Sequence, residues 1–537
     1  MASGAHTELV LAGLLFSVAV LVTAACVLAV PYPIFLVIGG LGFGLLPGLP
    51  PIELEPDLVL LIFLPPLLYS ASFFTGLRDL RQNIKPISML AIGLVLATAL
   101  AVALVAHAVI DGMSWPAAFV LGAIVSPTDP VAATAIAGRL GVPRRVVTIV
   151  EGEALINDAT ALVAYKVAVA AILTGTFSAW EAGAQFVYSG IGGAALGLAV
   201  GWLIAQVRER LDDPPVEITI ALFSGYAAYL PAEQLGLSGV TAAVAVGLFM
   251  GSQTSRLTNS TVRMQGDAVW QIIVFLLNSI LFLLIGLQLP TILDDLRGTN
   301  VDTAELFLYG GVATGTVIIV RLVWTFVFAY LPHYVFPVLR GQDEIPKPRN
   351  VLIIAWMGMR GAVSLAAALA LPTVTNADEP FSERPVILFS VFCVILGTLV
   401  LQGLTLPLLI RALDVEPDDD DVLEQEGRAR LQAAEAALER IDYLEREEWT
   451  RGESVERLRG IYSYRRKRFA ARFDDDVDDS AIEDRSSAWG RMMFEVIDAQ
   501  REAIEGMRRA GEISDEVKRI VERDLDLEES RLNEVRR

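Results

Sequence analysis

Residues 116–138 read PAAFVLGAIVSPTDPVAATAIAG, an apolar run that is interrupted near its centre by Pro127, Asp129 and Pro130. Each proline removes a backbone N–H donor and clashes with the preceding turn, so a continuous helix is disfavoured here. Asp129 lies about 13 residues into the run, and at about 1.5 Å per residue this depth is the middle of a bilayer. The pattern predicts a membrane helix that is interrupted beside a charged side chain, with a simple proline kink as the alternative.

The overall composition also indicates a membrane protein. Hydrophobic residues make up 54% of the chain and charged residues only 19%, which is unusual for a soluble protein. The apolar runs end near Arg411, and ionisable residues become frequent from Asp414 onward. We therefore predict a transmembrane domain at 1–411 and an acidic cytoplasmic C-terminal domain at 412–537. Much of the net charge of -20 lies in the second domain, so nucleic acid is not an expected partner.

The predicted fold class is an all-α polytopic membrane protein with about thirteen transmembrane helices, since each crossing needs about 20 apolar residues. The predicted spans are 8–30, 33–48, 57–75, 86–110, 116–138, 145–174, 184–206, 217–231, 236–251, 267–290, 305–331, 351–371 and 385–411. The two shortest, 217–231 and 236–251, could instead form one broken or re-entrant pair.

Basic residues predict the orientation of these spans, because they concentrate in cytoplasmic loops. Alternate joints are rich in arginine and lysine, whereas the joints between them contain only Arg297 and Arg384. The basic joints contain Arg78, Arg81 and Lys85; Arg139, Arg144 and Arg145; Arg208 and Arg210; Arg256 and Arg263; and Arg340, Lys347 and Arg349. This alternation predicts an outside N-terminus and a C-terminal domain in the cytoplasm.

Ionisable residues inside three spans indicate a functional site, because charge at membrane depth is costly unless it is paired or hydrated. Besides Asp129, they include Glu153 and Asp158 in the sixth span and Arg360 in the twelfth. Asp158 lies about 13 residues from the inner start of its span, and Arg360 about nine from its own. Counting therefore predicts that Asp129, Asp158 and Arg360 meet near the midplane.

The glycines on both sides of Arg360 predict a second interrupted helix. Spans 4–6 and 11–13 would then be two three-helix units of opposite topology, each with a disturbed middle helix. These inverted repeats, at about 86–174 and 305–411, form the predicted core, in which the discontinuous helices cross.

Some of the buried charges have a structural interpretation. A buried charge needs a partner of opposite sign, so we predict a structural ion pair between Glu153 and Arg360 rather than direct ion transport by either residue. Lys166 and Arg321 are predicted to pair with tail or loop acids, or to extend toward the membrane surface. Neither is assigned a transport role.

Several stretches together resemble the sodium/proton exchanger family of monovalent cation:proton antiporters. They are Leu64-Pro65-Pro66-Leu67-Leu68, Pro127-Thr128-Asp129-Pro130, Glu151-Gly152-Glu153 followed by Asn157-Asp158, Gly239 to Gly247, Ile285-Gly286-Leu287, and Gly358-Met359-Arg360-Gly361. The stretches are spread over most of residues 10–411. Their order and spacing carry the resemblance, since each stretch alone is weak.

The resemblance implies a site in which Asp158 binds Na⁺ and a proton alternately. The residues that would form this ion site are Asp158, Asp129, Thr128 through its backbone carbonyl, and Asn157, which holds the neighbouring chain in place. Glu153 would pair with Arg360. Members with an asparagine before the transporting aspartate form the electroneutral branch. The resemblance also implies a homodimer, with a core domain that moves against a dimerisation domain.

Two positions depart from the family pattern and leave the cation ligands open. Ala154 stands where many relatives have a serine, and Ser70 stands where some have a glutamate. A preference for Na⁺ over K⁺ is therefore not predicted.

The predicted function is exchange of Na⁺, with Li⁺ and K⁺ as other candidate ions, for H⁺ across the cell membrane. We expect electroneutral one-for-one exchange that serves pH and sodium homeostasis, with no cofactor beyond the transported ions. K⁺/H⁺ exchange is the main alternative. A cation channel is less expected, because it would need a selectivity filter and no stretch resembles one. An intramembrane aspartyl protease is also less expected, because it would need two aspartates that share a proton, whereas Asp129 is held between prolines. The C-terminal domain is predicted to be a regulatory or dimer-supporting helical domain, or a partly disordered extension.

Overall fold

A computed structural model describes the fold of residues 2–28, 30–46, 56–138, 140–174, 178–296, 302–335, 346–374, 381–415, 419–471, 473, 479–510 and 512–536. Helices are the regular elements of this described part of the chain, which confirms the all-α prediction. Arg139, Arg297 and Arg340, which contributed to the predicted orientation, lie outside the described residues.

The chain divides into two compact units, Met1–Pro417 and Asp418–Arg537. The helices of the first unit are α1 (Ala2–Val27), α2 (Tyr32–Gly44), α3 (Pro56–Phe74), α4 (Leu77–Gln82), α5 (Ile84–Val109), α6 (Trp115–Val125), α7 (Pro130–Ala137), α8 (Arg144–Thr174), α9 (Ala179–Arg208), α10 (Pro214–Gln234), α11 (Gly239–Leu257), α12 (Ser260–Leu287), α13 (Leu289–Leu296), α14 (Thr303–Val335), α15 (Pro348–Trp356), α16 (Ala362–Leu369) and α17 (Arg384–Ala412). Those of the second are α18 (Asp419–Leu444), α19 (Gly452–Ala471), α20 (Asp479–Arg509) and α21 (Asp515–Arg536).

Every predicted span coincides with a helix or with two helices in succession. The span at 116–138 is the pair α6 and α7, and the span at 351–371 is the pair α15 and α16. The region 217–251 forms two separate helices, α10 and α11. By length and composition alone, 7 helices of the described residues could cross a membrane, so the number of crossings stays a prediction.

Two long helices contain a wide turn that the sequence did not indicate. In α5 the backbone is π-helical at Met89–Leu94, and in α17 it is π-helical at Thr398–Gln402. Such single wide turns inside α-helices often occur at functional positions. The turn in α17 begins at Thr398, which contacts the second interrupted helix.

Close helix packing in the first unit depends on small residues. A Cβ added at Gly193 of α9 would lie 2.4 Å from the carbonyl oxygen of Ser238, and one at Gly197 would lie 2.3 Å from that of Ala242 in α11. Glycines four residues apart allow the backbones of two membrane helices to approach each other in this way. This contact joins α9 to α11, away from the interrupted helices.

In the second unit, α20 and α21 are joined by charged contacts around Glu505. Its carboxylate accepts from Arg508 Nη2 at 2.7 Å and from Arg509 Nε at 3.1 Å, and it lies 2.7 Å from Lys518 Nζ of α21. These donors, with Arg508 foremost, hold the pKa of Glu505 well below its usual range. Because the pKa is lowered on folding, the stabilisation is complete above the usual glutamate pKa of about 4.3. It is lost as the pH falls through the folded-state value.

We therefore expect Glu505→Gln to increase amide hydrogen exchange in α20 and α21 at pH 7, because the carboxylate no longer attracts the three basic side chains. The difference from the wild type should shrink as the pH falls below about 4. Hydrogen exchange of the full-length protein, compared at matched pH, measures it. Glu512→Gln is the control, since Glu512 is exposed and should have little effect. If the hydrogen exchange of Glu505→Gln and of the wild type differs as much below about pH 4 as at pH 7, the prediction is contradicted.

Candidate cation site

The two interrupted helices meet at their breaks. Between α6 and α7 the chain is non-helical at 126–129, and between α15 and α16 it is non-helical at 357–361. The backbone N–H of Asp129 donates to the carbonyl oxygen of Met359 at 2.8 Å. A hydrogen bond between two unwound segments satisfies backbone groups that a continuous helix would have paired.

Asp129 lies at the amino ends of two half-helices. It is the N-cap residue of α7, and its Oδ1 accepts from the N–H of Val131 at 2.9 Å. Its Oδ2 lies against Gly361, the N-cap residue of α16, where an added Cβ would be 1.9 Å away. Because helix amino ends carry partial positive charge, both half-helices favour a negative charge at Asp129.

Arginines occupy the opposite, carboxyl ends of the same broken helices. The Arg360 Nε donates at 3.1 Å to the carbonyl of Val125, the last residue of α6, and its Nη1 donates to the carbonyl of Gly358. Arg321 of α14 donates to the carbonyls of Ala355 at 3.2 Å and Ile354 at 3.1 Å, at the end of α15. Helix carboxyl ends carry partial negative charge, so each guanidinium stabilises one of them.

The predicted ion pair between Glu153 and Arg360 is wrong. Glu153 instead pairs with Arg321 through two parallel bonds, Nη1 to Oε1 at 2.5 Å and Nη2 to Oε2 at 2.9 Å. Both side chains are buried, at 1% and 0% exposure. Arg360 is unable to take this role because its guanidinium is directed at the carbonyls of Val125 and Gly358.

Thr128 connects the first break to α8. Its hydroxyl donates to Glu153 Oε1 at 3.0 Å and accepts from Asn157 Nδ2 at 2.9 Å. Asn157 Nδ2 also lies 3.2 Å from the Thr128 carbonyl oxygen. The unwound segment is therefore held against α8 by buried hydrogen bonds, and Asn157 occupies a supporting position there.

Asp158 faces a cavity of about 700 Å³ together with Asp129 and Thr128. Within the described part of the chain, its carboxylate has no hydrogen-bond or ion-pair partner. Ser70 and Ala154, the two departures from the family pattern, also line this cavity. Asn157, which is not among the residues that line the cavity, is fully buried. The structure thus brings Asp158, Asp129 and Thr128 to one cavity and places Arg360 and Glu153 behind its wall.

Sequence reasoning missed the role of Arg321, which was predicted to pair with a tail or loop acid. A signal was present, because an arginine inside an apolar span requires a buried acidic partner. The same reasoning left out Ser364 of α16, which lines the cavity. A serine in an apolar helix gives little signal, since such residues commonly hydrogen-bond to their own backbone.

Known proteins share sequence and fold with this chain. The family described as "Sodium/hydrogen exchanger, transmembrane" matches residues 13–412. The chain belongs to this family. A protein of Mycobacterium tuberculosis H37Rv described as an uncharacterized Na⁺/H⁺ exchanger is 37% identical over 505 residues, covering 93% of this chain and 91% of that protein.

Two further relatives are similar to this exchanger-family chain. The "Sodium, potassium, lithium and rubidium/H(+) antiporter" of Bacillus subtilis is 31% identical over 480 residues, covering 88% of this chain and 70% of the relative. The solved structure of the sodium proton antiporter MjNhaP1 from Methanocaldococcus jannaschii has a TM-score of 0.55 at 19% identity, covering 76% of this chain and 100% of the other. This likeness supports the polytopic antiporter fold.

The close contact at Gly361 gives a testable expectation. In Gly361→Ala, the new methyl group would overlap the Asp129 carboxylate, so we expect α16 to be displaced, with a loss of about 1–3 kcal/mol of stability and weaker cation-dependent proton movement. Thermal unfolding in detergent and transport in proteoliposomes measure the two effects. Gly311→Ala in α14 is the control, because nothing lies within 4 Å of the added Cβ. Equal behaviour of the two variants would contradict the contact.

Proposed function

We propose that this protein exchanges Na⁺ for H⁺ across the cell membrane, with Asp158 as the group that binds either ion. The observation that carries the proposal is the free carboxylate of Asp158 in a cavity beside two crossing interrupted helices. In secondary transporters, ion sites lie at such breaks near the bilayer midplane. A proton and a cation compete for one carboxylate. If the site changes sides of the membrane only when one of the two is bound, cation and proton are exchanged without covalent chemistry.

The proposal includes electroneutral, one-for-one exchange. When Na⁺ replaces a proton on Asp158, the charge of the site is unchanged. Asp129 does not add a second exchanging proton if it stays ionised, and its position at two positive helix ends favours the ionised form. The Asn157–Asp158 sequence, typical of the electroneutral branch that the family resemblance implies, agrees with this stoichiometry.

K⁺/H⁺ exchange is the second candidate, and one observation favours it. The Bacillus subtilis relative is named for sodium, potassium, lithium and rubidium. The cavity wall contains Ala154 and Ser70, which supply fewer oxygen ligands than a serine and a glutamate would. Fewer fixed ligands impose less selection by ion size. We therefore propose Na⁺ as a substrate, with Li⁺ and K⁺ as candidates for the same site.

We further propose that the cavity opens to the cytoplasm, with the N-terminus outside. The wall of the cavity includes Thr75, Glu151 and Gln271. Thr75 directly follows α3, whereas Glu151 and Gln271 lie on α8 and α12. Each lies near a helix end that carries a basic joint, which the positive-inside rule assigns to the cytoplasm. A homodimer in which a core domain moves is part of the same proposal, supported by the family resemblance.

An apolar cluster beside Asp158 packs α8 against the neighbouring helices, and part of it lines the cavity. Leu155 and Ala159 flank Asp158 along α8, and they pack with Leu64 of α3, Tyr229 of α10 and Val244 of α11. No acidic or basic residue belongs to this cluster of described residues. Apolar packing of this kind excludes water and ions, so in the proposed cycle α8 moves relative to α3, α10 and α11 when the ion is released to the outside.

The test is transport by the purified protein in proteoliposomes with an internal pH dye and an imposed pH gradient. Additions of Na⁺, Li⁺ and K⁺ are compared, first with the membrane potential clamped at zero and then with an imposed potential. Na⁺-driven proton movement at equal rates in both settings supports electroneutral exchange. A response to K⁺ alone changes the substrate, a potential-dependent rate rejects electroneutrality, and current without proton movement indicates a channel. No proton movement with any cation overturns the proposal.

A further inference from the structure

Ser364 is a buried hydroxyl that the site described above does not use. It lies in the first turn of α16, only 2% exposed, and it lines the same cavity as Asp158 and Asp129. Its Oγ has no hydrogen-bond partner within the described part of the chain. Leaving a buried hydroxyl without a partner is unfavourable, so such a group in a native structure needs an explanation.

The other hydroxyls that line the cavity are engaged with the protein. Ser70 donates to the Leu67 carbonyl at 2.9 Å, and Thr134 donates to that of Pro130 at 2.9 Å. Thr75 donates to the Ala71 carbonyl, Thr128 donates to Glu153, and Tyr32 also has an interaction. Among the described residues lining the cavity, Ser364 is therefore the buried hydroxyl that has neither a donor nor an acceptor in the protein.

Ser364 lies on the side of α16 that approaches Asp129, and both residues line the cavity. Residues three apart lie on the same face of a helix, and Gly361, three residues before Ser364, lies against Asp129 Oδ2. Asp129 Oδ1 is already bonded to the N–H of Val131, whereas Oδ2 has no donor within the described residues. Ser364 is thus one helical turn beyond Gly361, the residue that lies against Asp129 Oδ2. This carboxylate oxygen is free to bind a cation.

We propose that the Ser364 hydroxyl oxygen is a ligand of the transported monovalent cation, together with carboxylate oxygens of Asp129 and Asp158. The inference rests on the proposed exchange function and adds a ligand to its site. Hard cations bind oxygen ligands, and a hydroxyl supplies one without adding charge. With its oxygen on the cation, the same hydroxyl can donate its hydrogen to Asp129 Oδ2, which satisfies both groups.

The chain offers a matched control for this role. Ser390 of α17 is also buried, at 0% exposure, and its Oγ also has no hydrogen-bond partner within the described residues. It does not line the cavity. Each variant removes the same atoms from a buried position. A difference in transport between Ser364→Ala and Ser390→Ala is therefore caused by the position of Ser364 in the cavity and not by the loss of a buried hydroxyl as such.

The experiment measures Na⁺-driven proton movement in proteoliposomes for the wild type, Ser364→Ala, Ser364→Thr and Ser390→Ala. We expect Ser364→Ala to raise the half-saturating Na⁺ concentration by about tenfold, with a maximal rate within about twofold of the wild type. Ser364→Thr keeps the hydroxyl and should remain close to the wild type, as should Ser390→Ala. Equal Na⁺ dependence of Ser364→Ala and Ser390→Ala overturns the proposal.

A binding measurement separates this proposal from the exchange function. Na⁺ that binds the folded state raises the unfolding temperature of the detergent-solubilised protein in a concentration-dependent manner. If the wild type binds Na⁺ but moves no protons, the exchange proposal is rejected. The ligand proposal is still tested, because Ser364→Ala should then need a higher Na⁺ concentration for the same rise in unfolding temperature. If the alanine variant does not fold, Ser364→Cys replaces the oxygen by a poor ligand for Na⁺. Absence of any Na⁺ effect on the wild type overturns the ligand proposal.

Discussion

Asp158→Asn is expected to abolish cation-driven proton movement while leaving the protein folded. Asparagine has nearly the same shape, and Asp158 has no protein partner within the described residues whose bond would be lost. The amide, however, neither takes up a proton near neutral pH nor neutralises a bound cation. The loss should therefore be complete within the detection limit of the internal pH dye. Unchanged elution in size-exclusion chromatography and an unchanged melting temperature show that the fold is retained.

Asp111→Asn is the control for this variant, because Asp111 is an exposed aspartate between α5 and α6. It should transport like the wild type. Asp158→Glu provides a second comparison, since it retains a carboxylate that is displaced by one methylene group, and we expect reduced but measurable exchange. Wild-type transport by Asp158→Asn would reject Asp158 as the competing group and with it the proposed mechanism.

Arg321→Met is expected to be the most destabilising of the variants considered. It leaves Glu153 buried and charged at 1% exposure, and it removes two bonds to the carboxyl end of α15. Removing one partner of a buried ion pair typically costs about 3–5 kcal/mol. The expected result is a strongly lowered melting temperature in detergent, or loss of the folded protein during purification.

The double variant Glu153→Gln/Arg321→Met tests the cause of this loss. Neutralising both partners removes the isolated buried charge, so part of the stability should return. Lys166→Met is the matched control, because Lys166 forms an ion pair with Glu233 whose side chains are 61% and 34% exposed. Exposed pairs contribute about 0–1 kcal/mol. If Arg321→Met is as stable as Lys166→Met, the buried pair is not important for folding.

Much of the fold followed from local features of the sequence. Apolar runs of membrane length located the helices, and Pro127 and Pro130 located the first break. The glycines around Arg360 located the second break, although glycine alone does not fix where a helix resumes. Counting residues along the helices placed Asp158 at the depth of Asp129, because rise per residue in a helix is constant, and both residues line the cavity. The wide turns in α5 and α17 had no such local signature.

The pairing of Glu153 was not predictable by the same means. Two arginines, Arg321 and Arg360, carry the same charge inside apolar spans, and sequence alone does not say which one reaches the carboxylate. The answer depends on the path of the unwound segment at 357–361, which turns the Arg360 side chain toward the carbonyl of Val125. Long-range geometry of this kind is set by packing rather than by local propensity.

The separation of Glu153 and Arg321 along the chain has a consequence for biosynthesis. The two residues are 168 positions apart, and a ribosome that adds about 5–20 residues per second needs roughly 10–30 seconds to make that stretch. During this interval α8 has been synthesised while the countercharge of Glu153 has not. We therefore expect α8 to be held less stably in the membrane until α14 is present, and a nascent chain truncated before Arg321 to be more readily degraded than the full-length chain.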